Sequence, residues 1–100
     1  MTVHKALLAR LEAKPGKEAA VRDLLISAVT LANQEARTTV WFALQLGPST
    51  FGVFDAFADE EGRQAHLNGP IAQALMSKAP ILLAEPPEIK PLDVLGAKLA

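Results

Sequence analysis

The pattern of apolar and polar positions in this 100-residue chain predicts six main elements. Strands are predicted where aliphatic, β-branched and aromatic residues run together, and helices where apolar residues recur every three or four positions. The elements are a strand at 3–13, a helix beginning within 14–20, strands at 38–46 and 50–57, a helix from Asp59 that Gly69-Pro70 interrupts and Pro80 ends, and a strand at about 88–95. This order predicts the ferredoxin-like α+β fold, β-α-β-β-α-β, in which one antiparallel sheet carries its helices on a single face.

Each predicted helix has a recognisable start. In the first, Pro15 has a backbone angle that suits the opening turn. In the second, Asp59 is the predicted N-cap, because its carboxylate can accept hydrogen bonds from the free N–H groups of the first turn. The first helix also carries an apolar stripe at helical spacing, which we expect to pack on the sheet. The stripe consists of Val21, Leu24, Leu25, Ala28 and Leu31.

Apolar residues occupy both faces of the first three predicted strands. In the segment 3–13, Leu7 and Leu11 lie on one face while Ala6 and Leu8 lie on the other, since successive side chains of a strand alternate. Half of all residues are hydrophobic and the mean hydropathy is +0.20, which is more apolar surface than so small a chain readily buries. We therefore expect a homodimer in which two sheets pack face to face.

Composition narrows the functional classes. We expect one domain over residues 1–100, because a chain of this length has room for a single core. The net charge is −1 with acids and bases interspersed, so neither nucleic acid nor an anionic membrane is an expected partner. The chain has no cysteine, and charges interrupt the apolar residues near its N-terminus, so we expect a cytoplasmic protein. Its two histidines share no metal-ligand spacing, so no metal site is expected.

His66 and Asp55 are the candidate catalytic residues. An imidazole ionises near neutral pH, so His66 could accept a proton from a phenol or an enol, although a hydrogen bond to a backbone carbonyl would also explain it. Asp55 alternates with three apolar residues of its strand, and a carboxylate on such a side is costly without a partner. That partner could be Arg10 or Arg63 in an ion pair, or His66, whose tautomer the carboxylate would then fix.

Three aromatic residues are candidates for the wall of a ligand cleft. Trp41 and Phe42 are neighbours on one strand and therefore point to opposite faces of the sheet. One of the two could line a cavity that holds a flat aromatic ligand, and Phe54 would extend the same apolar surroundings. Aromatic residues in a small barrel also serve as ordinary core.

Two polar residues near His66 are further candidates for ligand binding. Arg63 is spaced to pair with Asp59 on the surface, which is the favoured interpretation, or to lean toward the side of His66. Asn68 lies at the helix break, where it could cap backbone groups or donate a hydrogen bond to a substrate oxygen.

The segment FGVFDAFADEEGRQAHL at 51–67 resembles the antibiotic biosynthesis monooxygenase family in its order of elements and in its place along the chain. LLAEPPEI at 82–89 and LDVLGAK at 92–98 fit the same pattern, so the resemblance covers nearly the whole chain. It implies a dimeric α/β barrel and the oxidation of an aromatic or quinol-like molecule by dioxygen, with no cofactor. The roles it implies are a base (His66), its orienter (Asp55), cleft walls (Trp41 and Phe54) and a hydrogen-bond donor (Asn68 or Arg63).

Two other functions stay open at this point. The same strand order supports non-catalytic ligand-binding or regulatory dimers, and an isomerase would need the same base without oxygen. An enzyme should bring His66 and Asp55 together beside an apolar cavity that is open to solvent. An association module should instead bury them in ion pairs or in a subunit interface.

Overall fold

The computed structural model describes residues 2–100, which form four strands and three helices. The elements are β1 (Lys5–Glu12), α1 (Glu18–Ala32), β2 (Val40–Gln45), β3 (Thr50–Phe57), α2 (Glu60–Leu67), α3 (Pro70–Leu82) and β4 (Glu88–Asp93). All neighbouring strands are antiparallel and make one sheet in the order β2-β3-β1-β4. The predicted ferredoxin-like α+β fold is confirmed.

The first helix begins within the predicted range 14–20, but after Pro15. Pro15 lies in a turn before α1 and not in the opening turn of the helix, which starts at Glu18. The reason is Gly16, whose φ of 86° is a left-handed conformation that interrupts any helix and that glycine adopts without steric cost. The apolar stripe is placed as predicted, with Val21, Leu25 and Ala28 buried against the sheet.

The predicted helix end at Pro80 is wrong, because α3 continues to Leu82. Pro80 lies in the last turn, where its missing N–H costs a single hydrogen bond and the helix has little further to run. The Nζ atom of Lys14 donates a hydrogen bond of 2.7 Å to the carbonyl oxygen of Pro80, and Leu83 N–H bonds to Ala79. These contacts satisfy carbonyl groups that a helix end otherwise leaves free.

The start of α2 fixes the position of His66. Asp59 is the N-cap, as predicted, and its Oδ1 accepts a hydrogen bond of 2.8 Å from the backbone N–H of Gly62. The helix ends at Leu67, and Pro70 opens α3 at its first position. His66 therefore lies in the last turn of a short helix, directly above the sheet.

The main core lies between the sheet and the helices. It consists of the β1 residues that face the helices, together with residues from β3, α1 and the end of α3. Its buried members include Leu11, Val21, Leu25, Phe51 and Val53. Trp41 packs against this core from β2, so it is the residue of the Trp41 and Phe42 pair that lies under the helices.

The opposite side of the sheet, here called the open face, carries an apolar patch, and no helix of residues 2–100 lies over it. Its residues include Leu8, Phe42, Leu44 and Phe54, and Phe54 is paired across the strands with both Leu8 and Phe42. Phe42 is 54% exposed and Leu8 is 38% exposed. The expected homodimer would cover this face, and it stays a prediction. Within residues 2–100, the helices are too short or too polar to cross a bilayer.

Candidate functional site

Three elements bring one histidine and two carboxylates together on the helix-covered side of the sheet. His66 comes from α2, Asp55 from β3, and Glu35 from the loop between α1 and β2. The Nε2 atom of His66 lies 2.9 Å from Asp55 Oδ2, and its Nδ1 atom lies 2.6 Å from Glu35 Oε1. Both ring nitrogens are therefore engaged by a carboxylate.

This group is nearly sealed from solvent. The side chains of Asp55, His66 and Glu35 are 3%, 7% and 15% exposed. Burial disfavours the charged imidazolium, but the hydrogen bonds to Asp55 and Glu35 outweigh that effect and raise the pKa of His66 above its ordinary value. The ring of Phe57 lies beside the imidazole, with 5.4 Å between the ring centroids. The arrangement favours a protonated histidine held between two anions.

A cavity of about 130 Å³ lies between the sheet and helices α1 and α3; we call it the inner cavity. Its walls are mostly aliphatic side chains and alanines, and its polar lining includes Asp55 and His66. Trp41 contributes the aromatic wall. Ser27 and Ile89, both exposed, also line it and mark its connection to solvent. An apolar cavity with a few convergent polar groups is a typical binding site for a small molecule.

Two polar atoms of residues that line the inner cavity lack a partner within residues 2–100. They are Asp55 Oδ1, an acceptor, and Trp41 Nε1, a donor, and both are buried. The two residues are directly opposite each other in the pairing of β2 with β3, so their side chains stand side by side on the same face. Because buried polar groups are normally hydrogen-bonded, an unpaired donor next to an unpaired acceptor indicates a site for a ligand that supplies both.

A second depression, the outer pocket, lies on the other side of His66. It has a volume of about 160 Å³ and is lined by residues of the loop 35–38 and of α2, together with Gly69 and Pro70 at the start of α3. His66 lines both spaces, whereas Asp55 lines only the inner cavity and Glu35 only the outer pocket. Over the described chain, no cluster of three or more histidine or acidic side chains is arranged to hold a metal ion.

Comparisons with solved structures place the chain among known proteins. A crystal structure of the NE2512 protein of unknown function from Nitrosomonas europaea is 64% identical, with a TM-score of 0.97, and the match covers 99% of this chain and 96% of that one. The chain belongs to the same family as this protein. No protein-family model matches the sequence, and no curated protein matches it.

More distant structures share the fold. A candidate antibiotic biosynthesis monooxygenase from Nitrosomonas europaea is 16% identical, has a TM-score of 0.82, and the match covers 92% of this chain and 99% of that one. Another, from Deinococcus radiodurans, is 18% identical, has a TM-score of 0.78, and is matched over 96% of this chain and 97% of that chain. The predicted resemblance to the fold of the antibiotic biosynthesis monooxygenases is confirmed.

Of the six residues that the sequence suggests for the site, the structure brings three together. His66, Asp55 and Trp41 all line the inner cavity. The carboxylate of Asp55 contacts His66, so of its three possible partners neither arginine is the one used. Arg10 lies on the open face and contacts Glu12 and Glu85.

Phe54 and Asn68 lie outside the inner cavity. Phe54 follows Val53 and precedes Asp55, so the alternation of β3 directs it to the open face, where it packs with Val3 and Ala6. Asn68 is exposed at the C-terminal end of α2, and its Nδ2 donates a hydrogen bond of 2.9 Å to the carbonyl of Gln64. Asn68 thus caps a backbone carbonyl at the end of α2, which is the first of the two roles that its position suggests.

Arg63 lies outside the inner cavity as well, and it does not pair with Asp59. Its guanidinium binds the carboxylate of Glu60 and donates hydrogen bonds of 3.2 Å to the backbone carbonyls of Ala6 and Leu92. The hydrogen bond from Arg63 lowers the pKa of Glu60 to about 2. Asp59 is already engaged by the N–H of Gly62 and by Arg37, at 2.9 Å, so Arg63 takes the neighbouring acid.

Glu35 is the residue of the site that the sequence does not single out. It lies in an irregular loop, where no periodicity indicates the direction of a side chain. Thr38 Oγ1 donates a hydrogen bond of 2.7 Å to Glu35 Oε1, which orients the carboxylate toward His66. The spacing of an acid three residues before a threonine is the local signal that was available.

Proposed function

We propose that this protein is a monooxygenase of the antibiotic biosynthesis type that oxidises a small hydroxylated aromatic, quinol-like molecule with dioxygen. The observation that carries the proposal is the unpaired acceptor of Asp55 beside the unpaired donor of Trp41 in an otherwise apolar cavity. A phenolic hydroxyl satisfies both, because it can donate to Asp55 Oδ1 and accept from Trp41 Nε1. Both atoms are buried, so the contacts form with local adjustment of the side chains, as catalytic hydrogen bonds often do when a ligand binds.

The size of the inner cavity favours a substrate with one ring. Its volume is about 130 Å³, and an apolar cavity of about 150 Å³ in another protein is known to hold benzene. A three-ring substrate would require the helices to move apart. We therefore propose a monocyclic quinol, with the flat wall of Trp41 against its ring.

Asp55 is the proposed proton acceptor, in place of His66. Both ring nitrogens of His66 face carboxylates, so neither is free to reach a substrate. In the first step the O–H bond of the quinol breaks, its proton moves to Asp55 Oδ1, and the electron pair stays on the phenolate. The Nε2 atom of His66 lies at hydrogen-bond distance from Asp55 Oδ2 and orients the carboxylate that takes the proton.

The second step uses the phenolate as the source of electrons. A ring carbon forms a bond to one oxygen atom of dioxygen, and the O–O bond then breaks. The other oxygen atom leaves as water, with the proton held on Asp55 and the proton lost from that ring carbon. One quinol and one dioxygen give one hydroxyquinone and one water, which balances all atoms. The ring supplies all four electrons, so this reaction needs no external reductant.

The proposed assembly is a homodimer through the open face. Phe42, Leu44 and Leu8 are exposed there, and they form a continuous patch with the partly buried Phe54. A second copy that presents the same patch would remove this apolar surface from water at about 25 cal/mol per Å² buried. The inner cavity lies on the other side of the sheet and would stay open.

A non-catalytic ligand-binding dimer is the second candidate, and the pairing of His66 supports it. A histidine whose two nitrogens are both engaged resembles the buried ion pairs of an association module more than a free base. An isomerase would use the same acceptor, Asp55, without oxygen. The three functions differ in whether the ligand is turned over and whether oxygen is consumed.

Oxygen uptake tests the proposal directly. The purified protein would be supplied with hydroquinone, methylhydroquinone and, as a wider ligand, anthrone, and uptake would be measured for wild type and Asp55→Asn. Because general base catalysis contributes about 100-fold or more to rate, the variant should lose uptake to that extent. Asp93→Asn is the matched control, since Asp93 is an exposed sheet carboxylate that binds Lys5 and does not line the cavity.

The outcomes separate the candidates. Uptake with the monocyclic quinols that falls in Asp55→Asn and persists in Asp93→Asn supports the monooxygenase. Binding of the quinols without uptake would favour the ligand-binding protein. Full uptake in Asp55→Asn would remove Asp55 from the mechanism.

A further inference from the structure

His66 forms part of the wall between the inner cavity and the outer pocket. On the inner side its Nε2 contacts Asp55, and on the outer side its Nδ1 contacts Glu35. Asp55 lines only the inner cavity and Glu35 only the outer pocket. The three side chains thus make an unbroken hydrogen-bonded connection from a buried apolar space to a second space nearer the surface.

We propose that Glu35 is a proton-transfer residue that carries protons from the site out to solvent in the outer pocket, through His66. The proposal rests on the proposed function in one respect, namely that Asp55 takes the proton of the substrate. It adds a residue and a route between His66 and solvent. The inner cavity is apolar, so the outer pocket offers the wetter route for a proton that leaves His66.

The proton count balances along this connection. When the substrate proton forms a bond to Asp55 Oδ1, His66 gives its Nδ1 proton to Glu35 and becomes neutral. Glu35 then loses that proton to water in the outer pocket. Asp55 returns its proton to the water that forms from dioxygen, and His66 regains one from the outer pocket through Glu35.

The contacts of Glu35 suit this role. Its Oε1 accepts from Thr38 and contacts His66, while its Oε2 is buried and has no partner among residues 2–100. The outer pocket, at about 160 Å³, is large enough for several waters that could bind Oε2. Gly69 leaves room there, since a Cβ atom at this position would lie 3.4 Å from Oε2.

The other charged group of the outer pocket is not placed to take over the role. Arg37 lines the pocket, but its guanidinium lies 2.9 Å from Asp59 and 3.7 Å from Glu61. It also cannot act as an acceptor. Glu61 is exposed on α2 and lies outside the pocket lining, which makes it a suitable control position.

Exchange of the ring protons of His66 tests the path without any turnover. Protein labelled with ¹⁵N-histidine would be compared as wild type, Glu35→Gln and Glu61→Gln, at a pH where the ¹⁵N shifts show both ring nitrogens of His66 protonated. A positioned acceptor accelerates proton transfer by about 100-fold or more, so exchange of the Nδ1 proton with water should slow by that order in Glu35→Gln. Glu35→Asp, which keeps a carboxylate, should recover part of the rate, and Glu61→Gln should match wild type. Equal exchange in wild type and Glu35→Gln would overturn the path.

A probe phenol separates this inference from the proposed function. Rapid mixing with 4-nitrophenol, at a pH where the free phenol is protonated, reports its ionisation in the site by absorbance. Slower ionisation in Glu35→Gln, with the final extent largely kept, supports both proposals. No ionisation in wild type together with slowed ring-proton exchange in Glu35→Gln would overturn the substrate proton step and leave the exit path standing. Unchanged ionisation and unchanged exchange in Glu35→Gln would overturn the path alone.

Discussion

The two faces of the sheet differ in what they bury. Under the helices, the side chains of Asp55, His66 and the nearby Glu35 are almost fully buried, so water has little access to them. On the open face, the apolar side chains of Phe42 and Leu44 are exposed to water. Polar groups are thus placed where burial is costly, and apolar groups where exposure is costly.

The buried charges and the exposed apolar residues indicate different uses of the two faces. Buried ions lose hydration worth several kcal/mol each, and apolar residues of similar volume usually serve stability as well or better. A core that existed only to hold the sheet and helices together would not need the three charged groups. An exposed apolar sheet face is instead typical of a surface that another copy covers. The comparison assigns chemistry to one face and assembly to the other.

The largest expected effect is on assembly. Phe42→Glu places a charge in the middle of the open face, and burying an unpaired charge in an interface costs several kcal/mol. Light scattering at micromolar concentration should therefore give twice the 10.6 kDa chain mass for wild type and a single chain mass for the variant. Met76→Glu is the matched control, because Met76 is also 54% exposed but lies on α3. A wild type that is already monomeric, or a variant that stays dimeric, would remove the assembly role from this face.

The next effect is on the free energy of unfolding, and it comes from the helix-covered face. His66→Ala removes the cation between two buried carboxylates, and breaking a buried ion pair from one side costs about 3–5 kcal/mol. Urea unfolding should show that loss for His66→Ala and almost none for His4→Ala, since His4 is exposed. A loss below about 1 kcal/mol would mean that solvent reaches the carboxylates easily, and the two faces would then differ less than the structure indicates.

The sequence predicts the skeleton of this site because two regular elements carry it. Alternation in β3 fixes the side of the sheet on which Asp55 lies, and the Asp59 cap fixes where α2 places His66. Irregular segments carry no such period. The direction of Glu35 depends on a loop that only the folded chain defines, so the outer half of the site could not be predicted.

Competition between neighbours explains the remaining errors. Arg63 could reach Asp59 or Glu60 from the same helix, and its choice follows from Arg37, which comes from a distant loop and occupies Asp59. The end of α3 likewise depends on Lys14, which is far away in the sequence and binds the Pro80 carbonyl. In both cases, local spacing permits several answers and a long-range contact selects one.

A smaller effect tests how the inner cavity recognises a hydroxyl group. Trp41→Phe keeps the aromatic wall and removes the buried donor, whose hydrogen bond is worth about 1 kcal/mol, or roughly fivefold in Kd. Calorimetry should therefore show weaker binding of phenol by the variant and equal binding of toluene, which has no hydroxyl group. Any loss of stability in the variant comes from the smaller ring that packs on the core, because the indole N–H has no partner within residues 2–100 to lose. Equal loss for both ligands would mean that Trp41 acts by shape alone.

The smallest effect is the dependence of stability on pH near neutrality, and it comes from His66 on the helix-covered face. Folding raises the pKa of His66, because its hydrogen bonds to Asp55 and Glu35 outweigh the opposing effect of burial. The folded protein therefore binds a proton more tightly than the unfolded chain does. The resulting stabilisation is fully present below the unfolded pKa, near 6.5, and is lost as pH rises through the folded pKa.

Urea midpoints measured at fixed protein concentration should fall over this range for wild type and fall less for Glu35→Gln, which removes one of the two anions. Phe42→Glu should keep the wild-type slope if it is measured as a folded monomer, because the open face holds none of the three groups. A flat profile in wild type would show that folding does not raise the pKa of His66, and would contradict the charged arrangement proposed for this face.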